Sequence, residues 1–471
     1  MEERLGEHLN RRREEGSLRQ LIEPASAPSP SSPSPASPSH LIDFASNDYL
    51  GLARCKRQHD DVESAYARYR QGCEGSPILG ATGSRLLSGD SQLARSLETS
   101  LAKIHNRPDG LICNSGYDAN LSVLSSLPYI RGDTVVMDEL VHNSLVMGIR
   151  MGRLARDRVV LFKHNDVKDL ERVLEQASNG KDLHPDASII IVVESVYSMD
   201  GDVAPLAEIL ELAKSWRNAS VVVDEAHGLG VYGRTNVHDL YDLGNKNDPS
   251  PLQSEARGGV RGGASVGGGT GVLAALELEH HPSLLCSVHT FGKAAGCHGA
   301  VVVGSKIFIS YIVNYARPFV YSTSLPPHSL VTIQESYKSM TTQVGEERRR
   351  KVFDLVKQFR NEMTAIFLRL KRRFPSSEFE LLHSPSPIQG VVTPGNDRCI
   401  AISQYLRNVG RFDVYPIRSP TVSKGKERIR IILHSHNSLE EVRSLTSMLH
   451  RAMVQSSIMQ PRENITAKAR L

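Results

Sequence analysis

The chain has 471 residues, 40% hydrophobic and 23% charged, with 56 Lys plus Arg against 52 Asp plus Glu for a net charge of +4. That length and apolar content supply one large or two to three smaller globular domains, and exclude a disordered or fibrous chain. The charge is spread along the sequence, so no basic stripe argues for nucleic acid, and no apolar run approaches the ~18 residues a membrane span needs.

In chain order, a charged helical stretch from Glu2 to Leu21 comes first, with no apolar segment behind Met1 to Arg13 that would direct secretion. A Pro/Ser tract follows through Ser39, with almost nothing to bury, and reads as a linker. Globular composition begins at Leu41. Apolar β-branched runs then alternate with amphipathic segments: residues 110–113, 134–137, 158–162, 188–193, 220–223 and 300–303. Short runs without polar alternation are what strands buried on both faces look like, and segments such as Pro205 to Trp216 are long enough for crossover helices. An α/β architecture around a mostly parallel sheet is expected.

Between Asp242 and Gly271 the chain turns polar and Gly-rich. No strand leads directly into its glycines, so it reads as a mobile surface insertion and not a phosphate loop. After Arg348 a long helical pattern precedes strand candidates at 388–392, 414–417 and 428–433 and helices at 397–408 and 438–453, a smaller α+β domain. The expected division is therefore a helical segment 1–22, a linker 23–40, a large domain 41–347, a small domain 348–455 and a tail 456–471. The tail ends in Ala469-Arg470-Leu471, similar to the receptor-read peroxisomal address, so peroxisome or cytoplasm is the expected location. Cys55, Cys73, Cys113, Cys286, Cys297 and Cys399 show no CxxC pair and no Cys/His ligand spacing, so reduced thiols and no metal site are expected.

In open α/β sheets ligands lie beyond the carboxyl ends of the strands, so the polar residues that stop each run deserve scrutiny. Run 220–223 stops in Asp224-Glu-Ala-His-Gly228, run 188–193 in Glu194-Ser-Val-Tyr-Ser198, run 110–113 in Asn114-Ser-Gly-Tyr117, and run 134–137 in Asp138, with His142 four residues on. Singly, each has an ordinary account as a cap or turn. Together with Lys293, set among small and apolar residues where burial lowers an amine's pKa, they match the needs of pyridoxal phosphate (PLP). The aldehyde needs an amine, Lys293. The pyridine nitrogen needs a carboxylate, Asp224. The phosphate needs backbone N–H groups at a helix start and hydroxyls, from Gly116, Tyr117 and Thr290. The ring needs a flat partner, His142, and the phenolic oxygen a donor, His227.

These residues resemble the α-oxoamine synthases, PLP enzymes of fold-type I. The matching segments include Phe44-Ala-Ser-Asn-Asp-Tyr-Leu-Gly-Leu52, Gly80-Ala-Thr-Gly-Ser-Arg85, Phe162-Lys-His-Asn-Asp166, Glu194 to Asp202, Asp224 to Gly228, Thr290-Phe-Gly-Lys293 and Ser419-Pro-Thr-Val422. The resemblance implies a mostly parallel seven-stranded sheet with helices on both faces, and a homodimer with a shared active site in which Tyr321-Ser-Thr323 reaches the partner's cofactor phosphate. It also implies decarboxylative condensation of a small amino acid with an acyl thioester. Lys293, His142, Asp224 and His227 would be catalytic, with Glu194 and Ser198 near the cofactor. Arg430 would grip the amino-acid carboxylate, and Thr421 and Asn47 would contact substrate. In the biotin-pathway members an arginine at the place of Arg19 faces the far carboxylate of a pimeloyl chain, which implies L-alanine and pimeloyl-CoA as substrates. A family member using another amino acid and acyl donor, or an inactive paralogue acting as partner subunit, are the alternatives. Two departures, Ala94 where the family often has His and a longer Asp224-to-Lys293 spacing, bear on the acyl side.

Overall fold

The computed structural model describes residues 1–14, 18, 41–73, 77–178, 186–240 and 268–459. Its centre is a seven-stranded sheet running, edge to edge, Asp109–Cys113, Ala300–Gly304, Leu284–Thr290, Ala219–Asp224, Ile189–Glu194, Thr134–Asp138 and Val159–Phe162. Only Ala300–Gly304 runs against its neighbours. Alternate side chains feed two apolar layers. Ile191, Val193, Val221 and Val223 join one with helices Gln92–Ile104, Val167–Ser178 and Leu206–Ser215. Ile190, Val192 and Val222 join the other with helices Gly116–Ser126, Asn143–Met151 and Lys306–Tyr315. Each fully buried Val or Ile contributes about 1.5–3 kcal/mol, so the central strands are held by their own composition.

The sequence-predicted runs are all strands, but Leu284–Thr290, which they lack, is a central strand. Its Ser287 and His289 interrupt the apolar run, yet both are buried and bonded to each other, Ser287 Oγ to His289 Nε2 at 2.9 Å. The insertion reading also fails at one end. Residues 268–271 are buried, with Gly269 and Gly271 at positive φ, and Glu225 beneath them accepts hydrogen bonds from Val272 N (3.1 Å) and Leu273 N (2.7 Å).

A second core lies around an antiparallel sheet, Tyr415–Ile417, Arg428–Ile432, Ile388–Val392 and Glu380–Leu381, covered by helices Gln343–Arg373, Asn396–Asn408 and Leu439–Met459. The boundary expected at 347/348 falls inside the helix Gln343–Arg373, which begins five residues before the helical pattern in the sequence does. Phe44 belongs to this second core, edge-on to Phe412 at 5.7 Å, and Ile42–Asp43 pairs in parallel with Phe412–Asp413. Tyr49, Leu50 and Leu52 belong to the first core, so residues 42–52 cross from one to the other. Among the described residues no helix is long and apolar enough to cross a membrane. Arg19, the linker 23–40 and Ala469 to Leu471 lie outside the described residues.

Candidate active site

Strand pairing sets the first two groups side by side. Ala219–Asp224 and Ile189–Glu194 are in parallel register, with Glu194 opposite Asp224 at the carboxyl edge. Asp224 is held from two sides: Ala226 N donates to Oδ1 at 2.9 Å and Asn120 Nδ2 to Oδ2 at 2.7 Å. Asn120 Nδ2 also reaches Ser144 Oγ at 2.9 Å, and Ser144 Oγ reaches His142 Nδ1 at 2.7 Å. Ser144 N donates to His142 Nδ1 (3.2 Å), which makes that nitrogen an acceptor and leaves the ring proton on Nε2. His142 N in turn donates to Glu194 Oε1 at 2.5 Å. Burial, and then the charge of Asp224, hold the Glu194 carboxyl well above the usual range.

Lys293 follows the strand Leu284–Thr290 by three residues. Its Nζ lies 2.8 Å from His227 Nε2, and His227 Nδ1 lies 2.6 Å from the Tyr49 hydroxyl. Tyr49 in turn meets Asn47 Oδ1 at 3.4 Å, and Arg430 donates to the same Asn47 oxygen at 3.1 Å and to Ser198 O at 2.8 Å. One consistent direction runs through this chain: the lysine amine donates to Nε2, Nδ1–H to the Tyr49 oxygen, and Tyr49 O–H to Asn47. Burial, reinforced by the neighbouring Lys293 charge, holds His227 well below its usual pKa and therefore neutral. Burial lowers the Lys293 amine to about 8, against the opposing pull of Asp224 and Glu194. An amine near 8 deprotonates far more readily than an exposed lysine.

At the other end, Gly116 opens helix Gly116–Ser126 behind the cap Ser115, whose side chain accepts from Asp118 N. A Cβ on Gly116 would stand 2.1 Å from Thr290 Oγ1, so only glycine lets the helix start close on that hydroxyl. The result is a set of backbone donors, with the helix's positive end, beside a hydroxyl, which suits a phosphate. With an amine, a buried carboxylate held by donors and a histidine ring whose tautomer is set, these residues fit PLP.

Of the residues singled out in the sequence, the structure brings together Asn47, His142, Glu194, Ser198, Asp224, His227, Lys293 and Arg430, with Gly116 against Thr290. Tyr117 and Thr323 are exposed; the Thr323 carbonyl accepts from Asn114 Nδ2 at 2.9 Å. Thr421 is exposed in the loop before Arg428–Ile432, and its N–H closes a turn on Arg418 O. The two arginines of that strand are not exposed edge charges. Arg428 is buried and paired with Asp200, whereas Arg430 faces no carboxylate among the described residues. Sequence reasoning missed Tyr49, Asn120 and Ser144 as members of the network. Tyr49 lay within a matched segment, but nothing local announced the other two.

The family model for aminotransferase class I and II matches residues 39–445. The chain is 34% identical to the 8-amino-7-oxononanoate synthase of Emericella nidulans over 420 residues, covering 86% of this chain and 88% of that protein. It is also 34% identical to the 8-amino-7-oxononanoate synthase of Salmonella arizonae, over 413 residues, 87% and 89% of the two chains. Among solved structures, a Sphingomonas wittichii serine palmitoyltransferase matches with a TM-score of 0.68 at 25% identity over 89% of each chain. The 8-amino-7-oxononanoate synthase of Francisella tularensis matches over 88% of this chain and 98% of that one with a TM-score of 0.62, and at 21% identity this speaks for the fold alone.

Proposed function

This chain belongs to the aminotransferase class I and II family, in its α-oxoamine synthase branch, and on that premise we propose that it joins L-alanine to pimeloyl-CoA, giving 8-amino-7-oxononanoate, CoA and CO2. It is a PLP-dependent acyltransferase. The observation that carries the reading is the convergence of Lys293, Asp224, His227 and Arg430 on one site, with the amine 2.8 Å from a neutral imidazole and within the charge influence of Asp224 and Arg430.

PLP, when bound, supplies an aldehyde that bonds to amines and a protonated pyridine that draws electrons from the amino-acid Cα. Asp224 keeps the pyridine nitrogen protonated, because Asn120 and Ala226 hold its carboxylate in place as an acceptor. His142 would offer the ring a flat face, and His227 would donate to the phenolic oxygen through Nε2–H in the tautomer whose Nδ1 accepts from the Tyr49 hydroxyl. Arg430 grips the substrate carboxylate through donors left over from Ser198 and Asn47. Lys293 takes the Cα proton and later returns one, as a base whose pKa lies near the working pH. Arg19 meets the distal carboxylate of the acyl chain, since that charge buried without a cation would be costly, and Thr421 contacts the substrate.

The working unit is a homodimer. Leu79, Leu87 and Tyr321 stand 78%, 82% and 81% exposed, apolar surface that a partner copy would cover, and Thr323 then serves the partner's phosphate site. CO2 and free-thiol release, measured with alanine, glycine and serine against acetyl-, pimeloyl- and palmitoyl-CoA, tests the substrates. The highest kcat/KM is expected for alanine with pimeloyl-CoA; a preference for glycine with acetyl-CoA would remove the assignment.

A further inference from the structure

His164 lies in the stretch between strand Val159–Phe162 and helix Val167–Ser178, outside the network that joins Lys293 to Arg430. Its imidazole is wedged between two carboxylates. Nδ1 is 2.9 Å and 3.1 Å from the two oxygens of Asp138, at the end of strand Thr134–Asp138, and Nε2 is 2.7 Å from Asp202 Oδ2. A carboxylate only accepts, so two such contacts require a proton on both nitrogens. Burial opposes the charge, but the hydrogen bonds to Asp138 and Asp202 outweigh it and raise the imidazole to about 10. The ring stands edge-on to Tyr197 at 4.4 Å, and the neighbouring Asn165, at φ 52°, donates through N to Asp138 (2.9 Å) and through Nδ2 to Asp202 (2.8 Å).

Asp202 closes the loop that follows strand Ile189–Glu194. Within it Tyr197 N donates to Asp202 O at 3.0 Å and Gly201 N to Tyr197 O at 2.8 Å. The loop's other side is held by the second core: Arg428 pairs with Asp200, and Arg430 Nε donates to Ser198 O. One short loop thus spans a fixed charge on the sheet and the arginine that meets substrate.

We propose that His164 is a positioning residue, a clamp hydrogen-bonded to Asp138 on one side and Asp202 on the other, that fixes the loop 195–202 and, through the Ser198 carbonyl, the aim of the Arg430 guanidinium. The substrate effect rests on Arg430 as the carboxylate grip; the loop effect does not.

His164→Gln fills similar space, carries no charge and presents both its N–H groups from one nitrogen in place of donors on two sides of a ring. In protein without cofactor, amide exchange at Tyr197 and Gly201 is expected to quicken at least about tenfold. In the PLP-loaded enzyme the L-alanine dissociation constant, read by spectral titration, and the alanine KM are expected to rise about tenfold, the scale of one weakened hydrogen bond to a charged group. The acyl-CoA KM and kcat stay within about twofold. Unchanged exchange and alanine affinity overturn the proposal, as does an equal loss for both substrates. Should His164→Gln fail to fold, Asp202→Asn is read in the same way. If exchange quickens while the wild-type enzyme shows no alanine response, the clamp stands and the reading of the site falls.

Discussion

Asn120 shows how a side chain with no reactive atom supports the chemistry. It is 2% exposed and its amide nitrogen serves both Asp224 and Ser144, so it links the carboxylate proposed to face the cofactor to the histidine whose tautomer Ser144 fixes. Asn120→Ala would leave two buried polar groups short of a donor, at about 1–3 kcal/mol. Expressed in PLP binding, that is a loss of roughly tenfold or more, which titration of cofactor-free protein by visible absorbance would detect; wild-type affinity in the variant would show that Ala226 N alone holds Asp224. Of the side chains proposed as catalytic, Asp224 was legible because it ends the apolar run 219–224, and Lys293 because small and apolar residues surround it. Asn120 was not, because its partner lies 104 residues away and its own helix gives it the look of an ordinary buried amide.

Secondary-structure elements supply the approach distances. The start of helix Gly116–Ser126 and the end of strand Leu284–Thr290 touch where Gly116 meets Thr290, and a methyl group cannot fit between them. Gly116→Ala is expected to push the helix start away, costing about 1–3 kcal/mol of stability by overpacking. It should also weaken cofactor binding more than alanine binding. Thermal melting and PLP titration check both; a variant with unchanged PLP affinity would place the phosphate elsewhere. At this scale the sequence was readable where elements bury only apolar side chains, as in 189–194. It was not readable at Leu284–Thr290, where burial of Ser287 and His289 depends on hydrogen bonds and ring contacts that only the folded sheet provides.

Across the whole molecule, the two cores are joined by the chain from Lys293, beside the larger, through His227, Tyr49 and Asn47 to Arg430, on a strand of the smaller. The crossing segment 42–52 explains why Asn47 and Tyr49 bridge them, a relation no boundary drawn in the sequence could express. The larger core also carries an acid liability. His105 and His289 stack at 3.7 Å, both buried; burial pushes His105 down to about 3, and burial together with His105 pushes His289 well below its usual value. Below about pH 6.5 the unfolded chain therefore binds protons that the folded chain refuses, and stability falls as pH drops from there toward 3. The expected slope is about 1.4 kcal/mol per pH unit for each histidine. Urea unfolding between pH 7.5 and 5 should show a shallower fall in His289→Gln than in wild type; equal slopes would assign the acid sensitivity to other groups.

The central claim is that the Lys293 amine bonds the PLP aldehyde. Borohydride reduction of the PLP-loaded protein, followed by peptide mapping, tests it most directly. A single reduced cofactor adduct on the peptide containing Lys293, absent from Lys293→Ala, is the predicted result. No adduct, or one confined to another lysine, would contradict it.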